Sequence, residues 1–72
     1  MTKFKCNKKD FNKLLAMANR CKGEIIASSI DGFKRVNCRS SLVLHSLMAN
    51  CNEVIIEVYN EDDVFTFGKE FD

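Results

Sequence analysis

Val36-Asn37-Cys38-Arg39-Ser40-Ser41-Leu42-Val43-Leu44 decides the fold, because two periodicities meet inside it. Upstream, Glu24 to Ser28 carries β-branched residues, and Asp31-Gly32 ahead of Phe33 signals a hairpin, since both central residues of a type I′ turn need positive φ. Strands are predicted over 24–29 and 33–37. From Asn37 the pattern becomes helical. Residues 37–41 supply capping oxygens, and Leu42, Val43, Leu44, Leu47 and Met48 form one broad apolar face.

Beyond that helix, Glu53-Val54-Ile55-Ile56-Glu57-Val58-Tyr59 is the strongest strand in the chain, with Val54, Ile56 and Val58 as its inward set. At the other end, residues 2–6 alternate, placing Phe4 and Cys6 on one face and Lys3 and Lys5 on the other. Asn7 can cap the helix that follows, with Asp10 reaching back in a capping box. In that helix Phe11, Leu14, Leu15 and Ala18 recur at i, i+3, i+4 and i+7, Cys21 extends the stripe, and Lys22-Gly23 forms a cationic end and stop. The tail has two readings. Val64 to Phe67 has strand propensity, whereas Asp62 and Asp63 can cap a helix that carries Val64, Phe67 and Phe71 on one face.

Composition sets the scale. The chain has 72 residues, 46% apolar and 29% charged, with no Pro or Trp, which fits one domain over 1–72 with little sequence left over for an active site. No apolar run approaches the roughly 20 residues of a membrane span, and the N-terminus lacks the apolar segment of a signal peptide, so a cytoplasmic protein without a membrane partner is expected. The cysteines at 6, 21, 38 and 51 form no Cys-x-x-Cys pair and His45 is the only imidazole, so no metal site or cofactor is expected, and the cysteines read as reduced, half-buried thiols. Ten of eleven Lys and Arg lie in residues 1–40 and seven of ten Asp and Glu in 41–72, about +7 against −6. The lysines near the N-terminus are not interleaved with free aromatics, so nucleic acid is not an expected partner.

The element order, with Val36-Asn37, Arg39-Ser40-Ser41-Leu42 and Ser46-Leu47, resembles HPr, the histidine-containing phosphocarrier of the bacterial sugar phosphotransferase system. In that family a valine-asparagine pair ends the third strand. A basic residue and a regulatory serine open the second helix, and a serine-leucine pair follows. The resemblance implies a single HPr-like domain of α+β class: an open-faced sandwich in which a four-stranded antiparallel sheet carries two or three helices on one face. It also implies adjacent first and last strands, with Lys3 and Lys5 beside Glu53, Ile55 and Glu57, and a helix over 62–71.

The resemblance carries function only in part. The family holds a phosphoryl group on a histidine immediately before the first helix, near an arginine; here Asn7 and Lys9 occupy those positions. An amide nitrogen is not nucleophilic, so this is a degenerate carrier site. Ser41, Leu42 and His45 match the partner face, and Ser40 matches the regulatory serine, where phosphate would meet the positive end of a helix dipole. The expectation is a non-enzymatic, divergent HPr-like protein that is not a phosphocarrier. It would act by contact with other proteins, such as phosphotransferase-system or catabolite-regulation components, and be regulated by phosphorylation at Ser40. Two alternatives stay open: a phosphocarrier that uses His45, and a binding module unrelated to sugar transport.

Overall fold

The computed structural model describes residues 1–71; the expected domain over 1–72 therefore has its last position outside the described residues. Strand β1, Thr2–Asn7, leads through one 3-10 turn at Lys8–Asp10 into helix α1, Phe11–Arg20. Strands β2, Ile25–Ser28, and β3, Arg35–Asn37, precede α2, Ser41–Asn50. Strand β4, Glu53–Val58, and α3, Glu61–Phe71, complete the chain.

The strands form one antiparallel sheet in the order β1-β4-β2-β3. Its register places Phe4 opposite Ile56, Cys6 opposite Val54, and Ala27 between Ile56 and Val36, so the apolar set of every strand shares one face. That face buries Leu14, Met17 and Ala18 of α1, Leu44, Leu47 and Met48 of α2, and Phe67 of α3 in a single core. The protein is therefore an α+β open-faced sandwich, as the resemblance implies, with all three helices on one side. Large apolar side chains contribute about 1.5–3 kcal/mol each on full burial, so in so short a chain this shared core is the main source of stability.

Several local expectations yield to the tertiary structure. The hairpin is not type I′. Among the described residues only Gly32 has positive φ, +81°, and the strands stop short, leaving a loop over 29–34. Asp31 organises this loop: its Oδ1 accepts from the Ser29 hydroxyl at 2.5 Å and the Phe33 N–H at 3.0 Å, an arrangement that tolerates ordinary φ at Asp31. Asn7 accepts from the Lys9 N–H at 3.2 Å and so caps the 3-10 turn, while Asp10, the residue preceding α1, makes no capping bond. Gly23 does not stop α1 through a left-handed conformation; its value is space, since a Cβ there would lie 3.0 Å from Asn60 Cβ.

The tail is helical because Asn60 caps it, accepting from the Asp62 and Asp63 N–H groups, and because Phe67 enters the core between Phe4 and Phe71, at centroid distances of 6.1 and 5.5 Å. Three acidic residues in its first turn also suit the helix dipole. Asp62 and Asp63 are not its caps. Asp62 pairs with Lys22 at 2.7 Å, and buried Asp63 accepts the Lys22 and Gly23 N–H groups at 3.1 and 2.9 Å, tying α3 to the end of α1. On the open face Lys3 lies opposite Glu57, but Lys5 faces Ile55 and Glu53 faces Asn7. The ion pair there is Arg35–Glu57 at 2.7 Å, supported by the Tyr59 hydroxyl, so the sheet's charges are balanced from β3.

Candidate functional site

The end of the molecule where β1 turns into α1 holds Asn7 and Lys9 and, across a pocket, His45, whereas Ser40 lies at the head of α2, next to Arg39, which reaches the end of α1. Strand pairing carries the chain to Asn52, whose C=O accepts the Lys8 N–H at 2.8 Å, and the Asn7 cap then turns it into the 3-10 segment. Asn7 is exposed, and its side-chain oxygen is committed to the Lys9 amide. Lys9 is exposed beside it; the neighbouring pocket takes Lys8 into its wall.

This pocket, of about 340 Å³, lies between α1 and α2 and is lined by Lys8, Phe11, His45, Met48 and Ala49. The His45 ring meets the Phe11 ring edge-on at 4.5 Å. Its Nδ1 lies 2.8 Å from the Ser41 C=O. A carbonyl can only accept, so Nδ1 carries the proton of that bond and Nε2 carries the lone pair of the neutral ring. The structure thus brings His45 to the segment that follows Asn7, through Lys8 and Phe11, neither of which the sequence reading placed in a site. Phe11, expected in the core, is half-buried and packs against it, and also forms the pocket wall. Its position at the first turn of α1, rather than deep in the stripe, was the available signal.

Ser40 stands immediately before α2, exposed, and its hydroxyl makes no capping bond. Its backbone is fixed on both sides: its N–H donates to the Asn37 C=O at 3.0 Å and its C=O accepts from Leu44 at 2.9 Å. The free amides of the first turn of α2 lie next to it. Arg39 points elsewhere, donating to the Cys21 and Gly23 carbonyls at 2.6 and 3.4 Å, and so braces the end of α1. Ser41 is exposed and Leu42 is 85% exposed, an unusual placement for leucine. Residues 42, 45 and 49 form one flank of α2, toward α1, whereas 43, 46 and 50 form the other.

The four cysteines are free thiols. Burial pushes Cys6 up to about 11 and Cys38 up to about 12. Cys21 is likewise raised to about 11, first by burial and then by Asp63. These three are therefore held as unreactive thiols at neutral pH.

Fold and site together define a small α+β open-faced sandwich that presents a helix-pair face with an exposed serine at the head of α2. No family model, curated protein or solved structure matches this chain. No helix among the described residues is long and apolar enough to cross a membrane.

Proposed function

We propose that this is a divergent HPr-like protein that acts by protein–protein contact through the α1-facing flank of α2, carries no phosphoryl group at the head of α1, and is regulated by phosphorylation at Ser40. The observation that carries the reading is Ser40 itself: an exposed hydroxyl with no capping bond at the head of α2, two residues before an exposed Leu42. A phosphate there would find first-turn amides and the positive end of the helix dipole, and would place about two negative charges beside the docking flank. Asn7 supports the loss of carrier activity, since its amide serves as a cap and has no nucleophilic nitrogen.

The test is the intact mass after incubation with ATP and a serine kinase that modifies HPr, beside Ser40→Ala, with a parallel incubation in phosphoenolpyruvate and enzyme I. The expected result is one phosphoryl group from the kinase in the native protein, none in the variant, and none from enzyme I. Failure of the kinase to modify Ser40, or transfer from enzyme I, overturns the corresponding half of the proposal. The Nε2 of His45, the ring nitrogen not taken up by the Ser41 carbonyl, in a pocket shared with Lys8, favours one second reading, a carrier that uses that imidazole. An acid-labile adduct formed from enzyme I and lost in His45→Ala would establish it.

A further inference from the structure

The opposite flank of α2 carries a different feature. Between this flank and β3 runs a shallow groove of about 310 Å³, lined by Phe33, Lys34, Arg35, Val36, Val43 and neighbouring residues of α2. Phe33 is 90% exposed and Val43 48% exposed, and neither contributes to the core. An aromatic side chain left almost wholly in water beside a second exposed apolar residue forgoes about 1.5–3 kcal/mol of burial.

Strand β3 forms one margin of the sheet, and its register fixes which backbone groups are unused. The Cys38 N–H bonds to the Ile25 C=O and the Ser29 N–H to the Lys34 C=O, both at 2.9 Å, with the Val36–Ala27 pair between them. Residues 34, 36 and 38 therefore turn their polar groups toward β2, and by the alternation of an antiparallel ladder Arg35 and Asn37 turn theirs outward. The Asn37 C=O is taken by the Ser40 N–H, which leaves the N–H and C=O of Arg35 and the N–H of Asn37 at the margin without a partner among the described residues.

We propose that β3 and the adjoining α2 flank form a second docking surface, which accepts an extended segment of a partner protein as a fifth strand, with apolar side chains in the Phe33–Val43 groove and acidic side chains toward Lys34 and Arg35. Charge selects this occupant over a second copy. The free margins of the sheet are β1, with Lys3 and Lys5, and β3, with Lys34 just before it and Arg35, which stays 54% exposed while paired with Glu57, so pairing two copies edge to edge brings no acidic side chain to the lysines, whereas an acidic strand supplies one. The three-residue length of β3 suits recognition that also needs the groove, since so short an edge is a poor template by itself. This surface does not depend on Ser40 or the α1-facing flank.

The probe is a short capped peptide in which valine and glutamate alternate, titrated into the full chain and followed by backbone amide NMR and hydrogen exchange. The expected result is shifts at Lys34–Asn37 and on the Val43 flank, slowed exchange of the Arg35 and Asn37 amides, and about tenfold weaker binding by Phe33→Ser. Phe33 is solvent-facing, so that variant should keep its fold, which the unchanged remaining amide spectrum verifies. Two peptides N-methylated at alternate amides, one in each phase, separate backbone pairing from simple apolar contact: one phase should fail to bind. Absence of these shifts at saturating peptide, equal binding by both methylated peptides, or equal binding by a lysine-for-glutamate peptide overturns the proposal. Concentration-dependent shifts of the same amides without peptide would assign the surface to a second copy and overturn the acidic partner.

Discussion

Truncating Asp63 to alanine should unfold the attachment of α3, whereas the same change at Asp62 should do little. Asp63 is 4% exposed, and its two oxygens accept the Lys22 and Gly23 N–H groups at 3.1 and 2.9 Å. Hydrogen bonds to a charged group contribute about 1.5–3 kcal/mol each, and two donors left facing the vacated space lose that term together. Taking the low end for each bond gives a loss of about 3 kcal/mol. A domain of this length has a total stability of about 4–11 kcal/mol, so the variant should still fold but melt about 12–24 °C lower, at about 4–8 °C per kcal/mol. Asp63→Asn keeps one acceptor and should fall between. Asp62 lies one residue earlier but is exposed and paired with an exposed Lys22, so Asp62→Ala should leave the melting temperature unmoved within error. Paired urea and thermal melts of the three variants decide the matter. Equal effects at 62 and 63 would refute the argument that burial, rather than charge at the head of α3, sets the contribution.

Other outcomes follow from the same geometry. Hydrogen bonding from Tyr59, followed by Arg35, holds the Glu57 carboxyl below its usual range, so its contribution is present above the ordinary carboxylate value and is lost as pH falls through the lower folded value; urea midpoints from about pH 7 to about pH 3 should drop less steeply in Glu57→Gln. With Cys6 and Cys38 raised to about 11 and about 12 and fully buried, iodoacetamide at about pH 8 should leave both unmodified until urea is added, as peptide mass mapping would show. Leu42→Ser should change stability by less than about 0.5 kcal/mol, because its side chain is already in water, while weakening capture of a partner on the α1-facing flank, measured by titration calorimetry.

Legibility in the sequence followed burial on regular elements. Alternation in 2–6 and 53–59 and the stripe through Leu14 and Ala18 were strong enough to place every inward side chain of β1, β4 and most of α1, because a one-residue slip would put lysine or glutamate in the core. The stripe missed Met17, three residues after Leu14, which is buried in the core with Leu14 and Ala18. Ser40, Ser41 and Leu42 were identifiable at the head of α2 because the strand pattern gives way to an apolar helical face at that point, although the Ser40 hydroxyl makes no capping bond. The turn at Asp31-Gly32 was found but mistyped, because Gly32 alone takes positive φ there and the Asp31 side chain organises the rest of the loop.

By itself the sequence determined the strands, the two inner helices and the absence of a nucleophile at Asn7, since periodicity, capping and side-chain chemistry are properties of neighbouring residues. Only the tertiary structure decided that Val64 to Phe67 is helical, where burial of Phe67 against Phe4 outweighs local strand propensity. It also decided that Asp63 reaches Gly23, that Arg39 braces α1 instead of facing Ser40, and that His45 meets Phe11 and Lys8 in one pocket. These contacts join residues from 16 positions apart, Gly23 and Arg39, to 63 apart, Phe4 and Phe67, and a pairing at that separation leaves no periodic trace in the chain, because it is chosen by how the helices cross the sheet.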